Sequence, residues 1–347
     1  MTWVIVNSPN FVKIRLRLEK SLRSFTKKGD IMIKDSKIIL VGDGAVGSSF
    51  AYVSTILGIG RQLGIIDLNQ DKAEGDAMDL SDALSFTRPK EIFKADYSDC
   101  KDAEVVVITA GAPQKPGETR LDLVDKNLKI FKDMISKIKD SGFEGIYVVA
   151  SNPVDILTYA TWKYSGAPAE KVIGSGTSLD TSRFKKEIAS LIGIDPRSVD
   201  AFILGEHGDT EFPVWSHTNV GGLPIYEWVS SHSDVDELAL LNTFEKVKNA
   251  AYEIINKKGA TFYGIGVALA RLVEAIINDE NSVYSTSSYL DGEYGEKDIF
   301  IGVPSVIGKD GVKWVIDVPL TDTEKERMKE SAGTLRSVME KAGLYDK

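Results

Sequence analysis

The chain has 347 residues, 43% of them hydrophobic and 27% charged, which suits a soluble protein with a sizeable core in two lobes. A formal net charge of -9 argues against a nucleic-acid partner, no apolar run is long enough to span a bilayer, and the single cysteine, Cys100, excludes an internal disulfide. With three histidines and that one cysteine, no His/Cys metal site is expected, and the thiol points to a reducing, cytoplasmic setting.

Residues 1–31 differ from the rest: they carry a net +5, leaving -14 on the remainder. Three readings stay open, namely a basic targeting peptide, an arm ordered on a neighbouring subunit, or upstream sequence ahead of a true start at Met32. The last is favoured. Met32 directly precedes the first core strand, and Lys28-Gly29-Asp30 can be encoded by a ribosome-binding sequence suitably placed before it.

From Met32 on, apolar runs alternate with helical patterns, which predicts βαβ units and a parallel sheet. Strands are expected at Lys37–Val41, Leu63–Asp67, Val105–Thr109 and Ile146–Ala150, with helices at Ala45–Leu57, Gln70–Leu84 and from Thr119 to about Asp140. The polar Pro/Gly stretch Gly111–Glu118 reads as a loop over an active site. Beyond about Gly174 the order becomes mixed. A helix is expected over Leu179–Leu191, one strand over Val199–Leu204 and a long helix over Asp234–Gly259. Strands follow within Val283–Asp317, and a final helix opens at Thr321.

Gly42-Asp43-Gly44-Ala45-Val46-Gly47 fits G-x-G-x-x-G between a strand and a helix. Glycines permit the tight turn and let a pyrophosphate approach the helix N-terminus. Asp67, twenty residues after Gly47, is placed to accept from adenosine ribose hydroxyls; it would repel a 2′-phosphate, so NAD is favoured over NADP. The plainer alternative makes Asp67 a helix cap. His207 lies in Gly205-Glu206-His207-Gly208-Asp209, where flanking glycines leave an imidazole room to face a ligand. Asp180 and Arg183, three apart at a helix start, share a face. They are either an acid that orients an imidazolium beside a guanidinium that clamps a carboxylate, or an ordinary ion pair. Gln114 and Arg120 flank Pro116-Gly117-Glu118-Thr119, and Ser151-Asn152-Pro153 follows a strand at the ligand-binding edge of the sheet.

These five motifs, which in chain order follow the family's order, make the chain similar to the lactate/malate dehydrogenase family from about Met32 to near the C-terminus. The resemblance implies an α/β fold, a Rossmann-type doubly wound parallel sheet with a mixed α+β substrate-binding lobe. Residues 1–31 would be an extension, 32–174 the NAD-binding domain and 175–347 the catalytic domain. The cofactor would be NAD, held by Gly42, Gly44, Ala45, Val46, Gly47, Asp67 and Asn152. His207 would give the proton to a 2-keto acid with Asp180 as its partner, Arg183 would bind the carboxylate, and Arg120 would polarise the carbonyl. Asn152 would orient substrate and nicotinamide, Thr261 would line the pocket, and the assembly would be a homotetramer.

Position 114 separates substrates within this family, because malate-specific members carry an arginine there. Gln114 is neutral, and an extra carboxylate left unpaired in a closed site costs on the order of 3–5 kcal/mol. Pyruvate and L-lactate are therefore the expected pair. Malate, another 2-hydroxy acid, or a non-catalytic NAD-binding role are the alternatives. Members activated by fructose 1,6-bisphosphate gather an arginine and a histidine at a subunit interface. The matching positions are Lys185 and Asp200, and an aspartate repels phosphate, so independence of that activator is expected.

Overall fold

The computed structural model describes residues 36–112, 120–232 and 235–345; the side chains of Arg120 and Glu237 lie outside the description. The expectations for residues 1–31 and for Gln114 therefore fall outside the described residues.

Six strands alternate with helices in the first half: β1 (Lys37–Val41), β2 (Gln62–Ile66), β3 (Glu91–Lys94), β4 (Val105–Ile108), β5 (Ile146–Val149) and β6 (Val172–Gly174). All pair in parallel, in the order β3-β2-β1-β4-β5-β6. Helices α1 (Ala45–Leu57), α2 (Gln70–Asp82), α3 (Arg120–Asp140) and α4 (Val154–Ser165) connect them. The strand order reverses between β1 and β4, which opens a crevice at their carboxyl ends where a dinucleotide can lie.

Val105–Ile108 and Ile146–Val149 are buried along their whole length, as strands covered on both faces must be. The two-residue period divides each strand between two cores. Ile38 and Leu40 pack with Phe50 and Ala51 of α1, while Ile39 and Val41 pack with Phe131 and Ile135 of α3.

The second half supplies α5 (Ser178–Ile192), β7 (Val199–Asp200), β8 (Ile203–Leu204), β9 (Phe212–Pro213), β10 (Asn219–Val220) and β11 (Leu223–Pro224). It continues with α6 (Ile225–Ser231), α7 (Glu237–Lys258), α8 (Tyr263–Ile277), β12 (Ser282–Asp291), β13 (Lys297–Gly308), β14 (Gly311–Val315) and α9 (Asp322–Lys341). The antiparallel run β12-β13-β14 joins the edge of the parallel sheet through Ser287 of β12 opposite Gly174 of β6, making one nine-stranded sheet.

The single strand expected over Val199–Leu204 is a correction. β7 pairs with β10 and β8 with β9, and the chain passes from one ribbon to the other at Ala201-Phe202. α8 buries Leu269, Leu272, Val273 and Ile276 with the α1 side of the sheet, each such side chain contributing about 1.5–3 kcal/mol. A third core holds Phe184 and Ile188 of α5 with Leu240 and Val247 of α7. That packing fixes the two helices on which much of the site is built.

Candidate active site

The Gly42–Gly47 turn links β1 to α1. Gly42 has φ +100, a conformation that side chains disfavour. A Cβ on Gly47 would press into the Gly42 carbonyl and stand 2.8 Å from Thr109 Oγ1, whereas one on Gly44 would meet nothing within 4 Å. The outer glycines thus close the turn, and Gly44 leaves open space above the helix start. α1 has no side-chain cap and no acid in its first turn, so its N-terminus retains a cradle for an anion.

A cavity of about 340 Å³ follows, bordered by Gly42, Gly44, Asp67, Tyr97 and Thr109. Asp67 accepts from the Asp43 backbone N–H at 2.6 Å and from the Asn69 N–H at 2.8 Å. It is not the cap of α2; Asn69 is, accepting from the Lys72 N–H. The Asp43 carboxyl turns inward to Lys72 Nζ at 2.9 Å, and burial pushes it up to about 7 despite that cation. These residues fit a dinucleotide: a free helix start, an open glycine and a half-buried acid at the far end.

The candidate catalytic cluster is gathered from three segments. α5 carries Asp180, buried, and Arg183 one turn on. The loop after β8 carries His207. It begins at Gly205 with φ +99, where a Cβ would stand 2.8 Å from Ser331 Oγ. The loop is pinned by the Glu206 N–H donating to Ser331 Oγ at 2.7 Å and by the His207 N–H donating to Asp155 Oδ2 at 2.8 Å. Asp155 stands in the first turn of α4, directly after Asn152-Pro153.

Asp180 is shared. Its Oδ2 lies 2.7 Å from His207 Nδ1, and its Oδ1 accepts from Arg183 Nη1 at 2.8 Å. Burial alone would raise the Asp180 acid, but His207 and Arg183 together hold its carboxyl below the usual range. For His207, burial works against the charged form, yet the Asp180 carboxylate outweighs it and raises the imidazole to about 9. The ring is therefore an imidazolium at neutral pH, with Nε2 left to meet a substrate. Asp180 and Arg183 form the ion pair of the plainer alternative, and both also line a cavity.

That cavity, about 520 Å³, is lined by Asn152, Asp180, Arg183, His207, Glu211 and Lys248 among others. Asn152 is exposed at its rim, its carbonyl accepting from Asn127 Nδ2 at 3.0 Å. Arg120 is the first residue of α3. Thr261 lies half-buried between α7 and α8, outside the described lining of this cavity. Sequence reasoning missed Asp155 and Glu211; the only signal for the first was its place two residues after the Asn-Pro pair. Asp180, His207 and Glu211 have ligand atoms within 4.8 Å of one another, the spacing a metal ion could use. Asp180 is already committed to His207 and Arg183, however, an arrangement that suits proton transfer.

Comparison with known proteins agrees. Residues 36–174 match the family model of the lactate/malate dehydrogenase NAD binding domain, and residues 177–343 that of the lactate/malate dehydrogenase alpha/beta C-terminal domain. The chain is 64% identical over 306 residues to L-lactate dehydrogenase 1 of Enterococcus faecalis, covering 88% of this chain and 94% of that one. It is 61% identical over 303 residues to an L-lactate dehydrogenase of Lacticaseibacillus casei, covering 87% and 93%. Among solved structures, the ligand-bound minor L-lactate dehydrogenase of Enterococcus mundtii superposes with a TM-score of 0.87 at 50% identity, covering 88% of this chain and 98% of that one. By its domain matches, its relatives and its fold, this chain belongs to the lactate/malate dehydrogenase family.

Proposed function

We propose that the chain is an NAD-dependent L-lactate dehydrogenase, reducing pyruvate reversibly to L-lactate, with His207 as proton donor and acceptor. The observation that carries this reading is the single Asp180 carboxylate bonded to both His207 and Arg183 at the wall of one cavity. Its support from relatives is that those at 57–64% identity are named L-lactate dehydrogenases.

Arg183 binds the substrate carboxylate, its planar fork matching the two oxygens. Carboxylate binding sets the ketone oxygen near His207, whose Nε2 proton is the one to be given up. Bound NADH supplies the hydride, and the negative charge that develops on the ketone oxygen is met by Arg120 and neutralised by the His207 proton. Asp180 stabilises the imidazolium and fixes the ring. Gly42, Gly44, Ala45, Val46 and Gly47 would cradle the pyrophosphate, Asp67 would take the adenosine ribose and Asn152 would border nicotinamide and substrate; a place for Thr261 at the substrate rests on the family resemblance alone.

The neutral Gln114 favours a monocarboxylate. Steady-state NADH oxidation with pyruvate, oxaloacetate and 2-ketoisocaproate tests the choice. Pyruvate should exceed oxaloacetate by about 10²–10³-fold in kcat/KM, and equal or better use of oxaloacetate would refute it.

Asp200 is exposed on β7 and Lys185 is half-buried with its Nζ 5.9 Å from the Phe202 ring centre, which supports activity independent of fructose 1,6-bisphosphate. A homotetramer is supported by the exposed apolar side chains Tyr52, Ile56 and Leu57 of α1 and Phe86 beyond α2. No described helix is long and apolar enough to cross a membrane, and a lone buried thiol supports a cytoplasmic enzyme.

A further inference from the structure

Glu211 is an acid of the catalytic cavity that the mechanism above does not use. It stands four residues after His207, just before β9, and is 6% exposed. One of its carboxylate oxygens, an Asp180 oxygen and a His207 ring nitrogen all lie within 4.8 Å of one another. Among the described residues its carboxylate is not committed to a hydrogen bond. A buried carboxyl costs free energy unless its charge is balanced, so its place against this pair calls for an account.

The charged groups around His207 come from every packed element. Asp180 and Arg183 are on α5, Asp155 on α4, and Glu211 and Asp209 on its own loop, while Lys248 and Glu245 border the cavity from α7. Arg120 opens α3, its side chain outside the description. The one Asp180 carboxylate is shared, an oxygen each, between Arg183 and His207, so two cations face a single anion. Asp155 and Glu211 are the further buried acids within reach; Asp155 is engaged by the His207 backbone N–H, which leaves Glu211 facing the pair from the loop itself.

Burial and the Asp180 carboxylate push Glu211 up to about 8, against the pull of His207, Arg183 and Lys248. Each group bears on the other's proton: an ionised Glu211 favours the imidazolium, and the imidazolium favours the Glu211 carboxylate.

We propose that Glu211 is a positioning residue that keeps His207 in its protonated, proton-donating form through its buried place beside the Asp180–His207 pair. The inference rests on His207 being the proton donor, and the test separates the two claims. His207 is titrated by NMR in the whole protein and in Glu211→Gln, with His217 and His232 as internal references. The pH profile of kcat/KM for pyruvate is recorded in parallel.

With Gln, the His207 titration and the alkaline limb of the profile should both move down by about one pH unit. Glu211→Asp should restore most of the shift. A limb and a titration that stay in place while pyruvate is still turned over would overturn the role of Glu211 alone. Absence of pyruvate turnover in the parent protein would instead sink the functional reading. If Glu211→Gln does not fold, the parent's own His207 titration decides. The proposal requires a two-step curve, as two coupled groups give, and a single-step curve would contradict it.

Discussion

His207 Nδ1 lies 2.7 Å from Asp180 Oδ2, a bond closed across 27 positions of sequence between the start of a helix and a glycine-flanked loop. Asp180 is buried and His207 partly so, with a side chain 29% exposed. The carboxylate raises the imidazole from its ordinary 6.5 to about 9, overriding the effect of burial. The sign follows. This stabilisation of the folded state is fully present below about pH 6.5 and is lost as pH rises through 9. Pyruvate reduction, which needs the proton, should hold across neutral pH and decline on an alkaline limb near 9.

Asp180→Asn keeps the size of the side chain and removes its charge. The imidazolium then loses its main support, and kcat/KM for pyruvate should fall by about 10²–10⁴-fold at pH 7. The alkaline limb should shift to lower pH in the same variant. Steady-state kinetics across pH 6–10 checks both, and an unmoved limb would count against the pair.

Arg183→Lys retains a positive charge but not the planar fork. Pyruvate KM should rise by roughly 10–100-fold, about 1.5–3 kcal/mol for lost charged hydrogen bonds. NADH affinity, measured by fluorescence titration, should change little, since Arg183 borders the His207 cavity and not the one beside Gly44.

Gly47→Ala places a Cβ against the Gly42 carbonyl and 2.8 Å from Thr109 Oγ1. Backbone must move, at about 1–3 kcal/mol. Thermal stability should drop and NADH binding should weaken, whereas Gly44→Ala, whose Cβ meets nothing, should weaken NADH binding with less loss of stability. Equal effects of the two on stability would contradict this division.

Cys100 is fully buried, and burial pushes its thiol up to about 12. Almost no thiolate exists at pH 8. A thiol reagent should leave activity intact in the folded protein and label Cys100 only on denaturation. Rapid inactivation under native conditions would show the opposite.

Much of this is legible in the sequence itself. β1 and α1 fall where the apolar run and the glycine turn place them, and Thr321 does cap the last helix, with Glu324 completing the capping box. Other elements carry weaker signals. α4 is buried on nearly every side, from Val154 to Thr161, and lacks the one-sided stripe by which a surface helix is recognised, while α8 has no capping side chain, no acid in its first turn and no base in its last to mark its ends. β3 has four residues at a sheet edge, too few for a pattern. Asp155 and Glu211 are lone carboxylates with no distinctive spacing; only the folded chain brings each to His207.

The most direct test of the account is His207→Ala, assayed by NADH oxidation with pyruvate alongside NADH binding. Turnover should fall by about 10²–10⁴-fold while the NADH dissociation constant stays within a few fold of the parent. Near-normal turnover in that variant would contradict His207 as the proton donor, and with it the assignment of the Asp180–Arg183 cluster.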